Sequence, residues 1–429
     1  MLQTLRNAWK IPDLRKRILY TILLLVVFRF GSVIPVPWVD VNALQGWLAS
    51  GQGSTLFDLL DTFSGGAFSQ ATIFAMSISP YINSSIIMQL LCVAIPYLER
   101  LSKEGEEGRT KITKYTRYLT VILAAVQAYG LYVTLHNQGA IMSVPKVPGW
   151  LVGFTIVLAF TAGTAFLMWL GEQITGKGIG NGISMLIFAG IVSRVPVMIE
   201  TAWNGFIPTG KWYMFVALGI YTILSIMFVI LINQGERRIP VQYAKRVVGR
   251  KMYGGQSSNI PIKVAMAGVI PIIFAMSIMS FPGTLAQLFG KSDGILVKIT
   301  NFITGGAIYP ILYFLLIVGF TYFYTSITFN PIEVSNNIKS NNGMIPGIRP
   351  GKPTTEYIAK VLSRLTFIGA ICLGVIAVLP IVLSSFLAAN LSALSLTGTS
   401  LLIVVGVALE TVREIESQMI MRHYKGFLE

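Results

Sequence analysis

The chain has 429 residues, 54% of them hydrophobic and only 12% charged, with a formal net charge of +15. A soluble domain carries about twice that share of charged residues, so composition excludes one and leaves a helical protein that crosses a membrane many times. The two cysteines, Cys92 and Cys372, lie in apolar runs and the only histidines are His136 and His423, which excludes a disulfide framework and a histidine-based metal site. The positive balance reads two ways: the orientation bias of an integral membrane protein, or attraction to anionic lipid or nucleic acid.

In chain order, apolar runs predict ten spans, at roughly 18–36, 71–97, 117–136, 150–171, 181–200, 212–233, 263–286, 306–328, 361–386 and 398–416. No A-x-A site follows the first run, which therefore reads as a span and not as a cleaved signal. The stretch FDLLDTFSGGAF lies between the first two spans. There Leu56, Leu59, Leu60 and Phe63 share one helical face, Thr55 can cap the start and Ser64-Gly65-Gly66 ends it. A short amphipathic helix over about 55–66 is expected, with Asp58 and Asp61 off its apolar face.

Of the 33 basic residues, 27 fall in the N-terminus, 98–117, 172–180, 234–263, 329–364 and the C-terminal tail. That asymmetry places these segments and both termini in the cytoplasm, and 37–70, which has no Lys or Arg, on the outer side. The halves 1–204 and 205–429 hold five spans each, and an odd number makes any repeat inverted. Pro80 in AMSISPYINSSI and Pro271 in AGVIPIIFAMS fall mid-run in the second span of each half. Prolines are common in membrane helices, but interrupted helices at matching positions point to a transport path.

GEQITGKG (171–178) nearly fits a phosphate-binding loop but lacks the final hydroxyl residue and follows a membrane helix, so no nucleotide site is expected. GKGIGNG reads instead as a tight turn joining spans 4 and 5. Catalytic signatures are absent: Ser84 and Ser85 have no histidine partner within reach, and no metal site is expected. Arg29, Arg194 and Glu200 lie towards outer ends of spans and Glu172 and Glu410 towards inner ends, with none central, which argues against an ion-coupled carrier. Two inner loops are unusually basic. The loop 234–263 carries Arg237, Arg238, Lys245, Arg246, Arg250, Lys251 and Lys263, and the alternation in RRIPVQYAKR predicts a hairpin. In 329–364, the run NNGMIPGIRPGKPT holds Arg349 on a constrained turn. Such shaped basic loops suit docking of a partner, whereas a pure orientation signal needs only charge.

These stretches together, including TFSGGAFSQATIFAMSISPYINSSIIMQLL, LMWLGEQITGKGIGNGIS, RRIPVQYAKR, MAGVIPIIFA, FNPIEVSNNIK and PGIRPG, strongly resemble the SecY family over essentially the whole chain. These are the channel subunits of the bacterial Sec translocon. The resemblance implies an all-α fold of ten helices in two inverted halves around a pore that passes unfolded polypeptide and releases apolar segments sideways into lipid. It implies an apolar constriction of Ile78, Ile82, Ile183, Ile187, Ile273 and Ile403, and polar lateral-gate positions at Gln89 and Asn181. The amphipathic segment becomes the plug, with Phe57, Leu59, Leu60 and Phe63 on its apolar side and Gly65 and Gly66 as a permissive hinge. Its aspartates are then expected to meet water or polar funnel walls. Arg237, Arg238, Lys245, Arg246, Arg250, Lys251 and Arg349 would receive the SecA motor or the ribosome. SecE and SecG are implied as small membrane partners, with anionic lipid around them and preprotein or signal sequence as the passenger. No cofactor is implied. A secondary transporter for small solutes and, more distantly, an intramembrane protease remain as readings from other classes.

Overall fold

The computed structural model describes residues 6, 8–49, 61, 64–142, 147–208, 210, 212–243, 246–248, 251–253, 257–289, 302, 308–386 and 397–425. Its helices are α1 (Pro12–Gly31), α2 (Val41–Ala49), α3 (Ser79–Ala94), α4 (Pro96–Lys103), α5 (Glu106–Asn137), α6 (Gly149–Lys177) and α7 (Gly182–Phe206). They continue with α8 (Trp212–Gln234), α9 (Ile270–Phe289), α10 (Ile308–Thr328), α11 (Pro331–Ser340), α12 (Lys352–Phe386) and α13 (Thr397–Lys425). Each of the ten apolar runs contains one of these helices. Contacts divide the chain into two compact units, one of Met1–Phe215, Met276–Tyr309 and Ile403–Glu429, the other of Val216–Ala275 and Pro310–Leu402.

The runs 71–97 and 263–286 are not helical throughout, as expected from hydropathy, because α3 starts only at Ser79 and α9 only at Ile270. The prolines begin helices and do not interrupt them. Pro80 and Pro271 each occupy the second helical position, where a missing N–H costs nothing and the ring pre-sets the backbone. Three residues ahead of each proline the backbone turns left-handed, at Ser77 (φ 53°) and Gly268 (φ 58°). AMSISPYI and MAGVIPII therefore share a backbone device as well as a sequence pattern.

At about 1.5 Å per residue, the 16 residues of α3 cover roughly 24 Å, short of an apolar layer of about 30 Å. The irregular stretch 71–78 makes up the rest. Non-helical backbone survives at membrane depth only inside protein, and here Ala71, Thr72, Phe74, Ala75, Met76, Ser77 and Ile78 are all buried. Its amides find partners locally or in the preceding loop: Ile73 N donates to Ile34 O at 3.1 Å, Ala75 N to Thr72 O at 2.9 Å and Ser77 N to Phe74 O at 2.8 Å. Phe74 is stacked between Phe28 of α1 and Phe166 of α6, at centroid distances of 6.0 and 6.1 Å. Gly163 of α6 lies so close that an added Cβ would stand 1.9 Å from the Ile73 carbonyl oxygen. Ala71, Ala75 and Met76 continue into a core with Ala128 and Leu131 of α5 and Val152, Ile156 and Phe160 of α6.

At Ile95–Pro96 the chain bends by 102° into α4, whose Leu98 and Leu101 pack on Met88 of α3 and on Ile112 and Leu119 of α5. The turn between α6 and α7 is as tight as its glycines suggest. Ile179 N donates to Thr21 Oγ1 of α1 at 3.1 Å, and Gly182 N to Thr175 Oγ1 at 2.9 Å. Gly171 to Lys177 form the last turns of α6, so the motif offers no loop to cradle a phosphate.

In the second unit the two basic loops fold together. Strand β1 (Glu236–Tyr243) pairs antiparallel with β4 (Ser257–Lys263), from Glu236 opposite Lys263 to Gln242 opposite Ser257. The stretch RRIPVQYAKR, read as a hairpin, thus supplies β1 and pairs with the far end of the same loop, while β2 (Arg246–Val248) and β3 (Lys251–Tyr253) pair antiparallel between them. The other loop contributes β5 (Gly343–Met344), which pairs with Gln242 and Tyr243, giving the order β4-β1-β5. Because β5 reaches only those two residues, Pro240 in β1 blocks no ladder bond on that side. Ile239, Val241 and Ile262 turn inward against Ile338 of α11 and Ile358 and Leu362 of α12.

Candidate functional site

Five of the six isoleucines expected at the constriction, Ile78, Ile82, Ile183, Ile187 and Ile403, belong to the first unit, and Ile273 belongs to the second. Four of the five in the first unit lie at or near the start of a helix. Ile78 is the N-cap of α3 and its carbonyl accepts from Ile82 N at 3.1 Å. Ile183 and Ile187 are one turn apart at the beginning of α7, and Ile273 lies in the first turn of α9. Ile78, Ile187 and Ile403 are buried, while Ile82, Ile183 and Ile273 are half-buried. Being β-branched and free of hydrogen-bonding groups, these side chains can offer a passing chain only a stiff apolar surface. Within the first unit α13 is tied to α7, where Thr411 Oγ1 approaches Met185 Sδ at 3.5 Å.

Both expected gate residues, Gln89 and Asn181, are exposed. Asn181 has a local task as well: its side-chain oxygen caps α7, accepting from Ile183 N at 3.1 Å and Ser184 N at 3.4 Å. Glu172, at the inner end of its span, pairs with Arg117 at 2.7 Å between α6 and α5.

Of the expected plug, Phe57, Leu59, Leu60 and Phe63 lie outside the described residues; Asp61 and 64–66 are described. Asp61 is buried, so of the two surroundings expected for it the structure supplies a polar wall and not water. Its Oδ2 pairs with Arg194 Nη1 of α7 and its Oδ1 accepts from Ser69 N at 2.8 Å. From α1, Arg29 Nη1 donates to the Gly65 carbonyl at 3.0 Å and to Ser193 Oγ at 3.3 Å. Gly65 (φ 69°) and Gly66 (φ 88°) are left-handed, as suits a permissive turn. Gly65 is also gripped: a Cβ there would stand 2.7 Å from Ser193 Oγ and 3.0 Å from the Gly190 carbonyl oxygen. Sequence reasoning had put both arginines at span ends without finding this role. Its signal in the sequence is two arginines at outer span ends facing a loop, 37–70, that contains acids but no bases.

The second group of candidate residues is the basic residues of β1, of the β2–β3 hairpin and of the Arg349 turn. Arg237 and Arg238 are exposed on β1, with Arg238 Nε on Glu236 Oε1 at 2.7 Å. Arg246 and Lys251 lie on the hairpin strands, and Lys245 and Arg250 lie outside the described residues. Arg349 is exposed on a turn set by left-handed Gly347 and Gly351, its carbonyl accepting from Thr354 Oγ1 at 2.9 Å. Ser335 Oγ of α11 closes the turn on Gly351 O at 3.1 Å. The constrained turn read from PGIRPG is thus present. A shaped, solvent-facing cationic surface of this kind can bind an acidic protein face or nucleic-acid phosphates.

The SecY family model matches residues 72–412. A curated relative, the protein translocase subunit SecY of Thermotoga maritima, is 45% identical, the alignment covering all of this chain and 98% of the relative. Among solved structures, a SecY protein whose plug domain stabilizes the closed state and maintains a membrane seal superposes with a TM-score of 0.66. It is 18% identical, with 96% of each chain covered. Canine Sec61 in a ribosome-channel complex from the endoplasmic reticulum gives a TM-score of 0.61 at 18% identity, again over 96% of each chain. The fold is that of these channels, a multi-pass bundle of membrane helices.

Proposed function

Because the chain belongs to the SecY family, we propose that it works as a protein-conducting channel which passes unfolded polypeptide across the bacterial cytoplasmic membrane and releases apolar segments into lipid. Its whole-length kinship with a translocase subunit carries this reading. The halves 1–204 and 205–429 form the two sides of the channel, with both termini cytoplasmic. Ile78, Ile82, Ile183, Ile187, Ile273 and Ile403 make the constriction. A narrow apolar ring resists water and ions by dewetting yet deforms around any side chain in transit, whereas polar groups there would select substrates and leak ions.

The segment about 55–66 is the plug, and Gln89 and Asn181 lie at the lateral gate. No catalytic step is assigned to the chain, so energy comes from outside, from the SecA motor or the ribosome docking on the basic residues of β1, of the β2–β3 hairpin and of the Arg349 turn. SecE and SecG complete the membrane complex and anionic lipid surrounds it. The test is ion conductance of the reconstituted complex. Replacing Ile82 and Ile187 together by asparagine should raise ion leak well above background. Leak that stays at background, with a small solute carried down an ion gradient, would replace this reading by that of a secondary transporter.

A further inference from the structure

We infer that Arg194 and Arg29 are positioning residues that latch the root of the plug, at Asp61 and Gly65, onto α7 and α1, and that the Arg194–Asp61 pair is its release point. The inference rests on the plug reading above and gives that segment a specific lock.

Among the described residues, the polarity of the contacts changes at Gly66–Ala67. From Ala67 onward the chain is anchored by apolar burial: Ala67, Phe68 and Ala71 are buried, and Phe68 and Ala71 join the core with α5 and α6. Before Ala67, the described residues Asp61, Ser64, Gly65 and Gly66 have little apolar surface to bury, so polar contacts dominate their hold. Asp61 is the centre of that hold. One carboxylate oxygen meets Arg194, 133 residues away in sequence, and the other accepts from Ser69 N. Its carbonyl accepts from Gly66 N at 2.8 Å and Ser64 Oγ at 3.1 Å, so moving Asp61 unravels the turn that follows it.

Arg29 works on a different atom. It holds the Gly65 carbonyl and is braced by Ser193 and Ser32, whose Oγ atoms it reaches at 3.3 and 3.5 Å. The pair is partly buried, with side chains 23% and 10% exposed, so it is poorly screened by solvent while in place. Polar contacts of this kind are directional and fail together once geometry is lost, whereas the apolar anchor beyond Ala67 tolerates small shifts. Among the described residues the change from polar to apolar hold falls at Gly66–Ala67, so breaking the latch would leave 67–78 seated.

The test is single-channel conductance of the purified complex, with thermal unfolding as a parallel readout. Asp61→Asn is isosteric and leaves the fold intact. It should raise the open fraction roughly ten- to a hundredfold, the loss expected for one charge-assisted hydrogen bond. Arg194→Gln should do the same, the double variant should leak no more than either single, and Arg194→Lys should leak less than Arg194→Gln. Arg29→Gln, which acts on a carbonyl, should add to Asp61→Asn instead of merging with it. Background leak in Asp61→Asn and Arg194→Gln, whether or not their unfolding temperature falls, would overturn the latch. Deletion of 57–64 separates the two failures. A leaky deletion beside tight point variants sinks only the latch, and a tight deletion sinks the plug reading itself.

Discussion

Replacing Gly163 by alanine tests how the irregular stretch 71–78 is sheltered. A Cβ at 163 would stand 1.9 Å from the Ile73 oxygen and 2.8 Å from its carbonyl carbon, where ordinary contact begins at 3.4 Å. The obstacle is backbone held by the Ile34 hydrogen bond, so it cannot swing away. α6 must instead back off by about 1 Å or more, and a gap of that size forfeits a quarter to a half of each dispersion contact. The Phe166–Phe74 stack at 6.1 Å and the packing of Phe160 would both loosen.

Overpacking against unyielding atoms puts the cost at about 3 kcal/mol, and the unfolding temperature should fall by roughly 5 °C. Two changes in the same helix calibrate the result. At Gly153 the neighbour is the Tyr132 ring, 2.7 Å from the added Cβ, which can rotate, so alanine should cost about 1 kcal/mol. At exposed Gly176 nothing lies within 4 Å, and alanine should be neutral or stabilise by a few tenths to about 1 kcal/mol through helix propensity. Thermal unfolding of the purified full chain in one detergent, followed by tryptophan fluorescence, measures all three. If Gly163→Ala unfolds with Gly176→Ala, the close approach is not what shelters 71–78 and the argument fails.

Asn181→Ala removes the cap of α7 and should lower stability by about 1 kcal/mol in the same unfolding assay, whatever it does at the gate. Gly268→Ala meets no atom within 4 Å, so its cost of about 1–2 kcal/mol should come from the left-handed backbone alone. A null result would mean that this turn relaxes freely. Arg349→Glu reverses an exposed charge on a turn held by its backbone, so the fold should be unchanged while motor-driven export into vesicles is lost. Normal export by that variant would remove the docking role.

Hydropathy was a good guide wherever helix and membrane coincide, and poor where they part. The ten runs each hold a helix, yet the starts at Ser79 and Ile270 were hidden because a buried irregular stretch is as apolar as a span. Pro80 and Pro271 did mark the places, but a proline fits a kink or a first turn equally well. The strand β1 in the basic loop was legible from its alternation. The joining of Gly343–Met344 to Gln242–Tyr243 was not, since a two-residue strand carries no period. Asp61 reads from the sequence as lying off the apolar face and meeting water or a polar wall, but its partner is remote in sequence and chemistry alone does not choose Arg194. The isoleucines could be selected only through the family resemblance, as nothing in their spacing distinguishes them from neighbours that face lipid.

The shelter around 71–78 also constrains the order in which the molecule can be made. Synthesis delivers Phe28 and its helix first, then the irregular stretch, and only after growth from Phe74 to Phe166 does α6 provide the other wall. At roughly 5–20 residues per second that delay lasts on the order of 5–20 s. During it, carbonyls such as that of Ile73 have no closed packing around them, and lipid offers them no hydrogen bond. Until the fourth span arrives, the irregular stretch 71–78 lacks the wall that Gly163 and Phe166 supply.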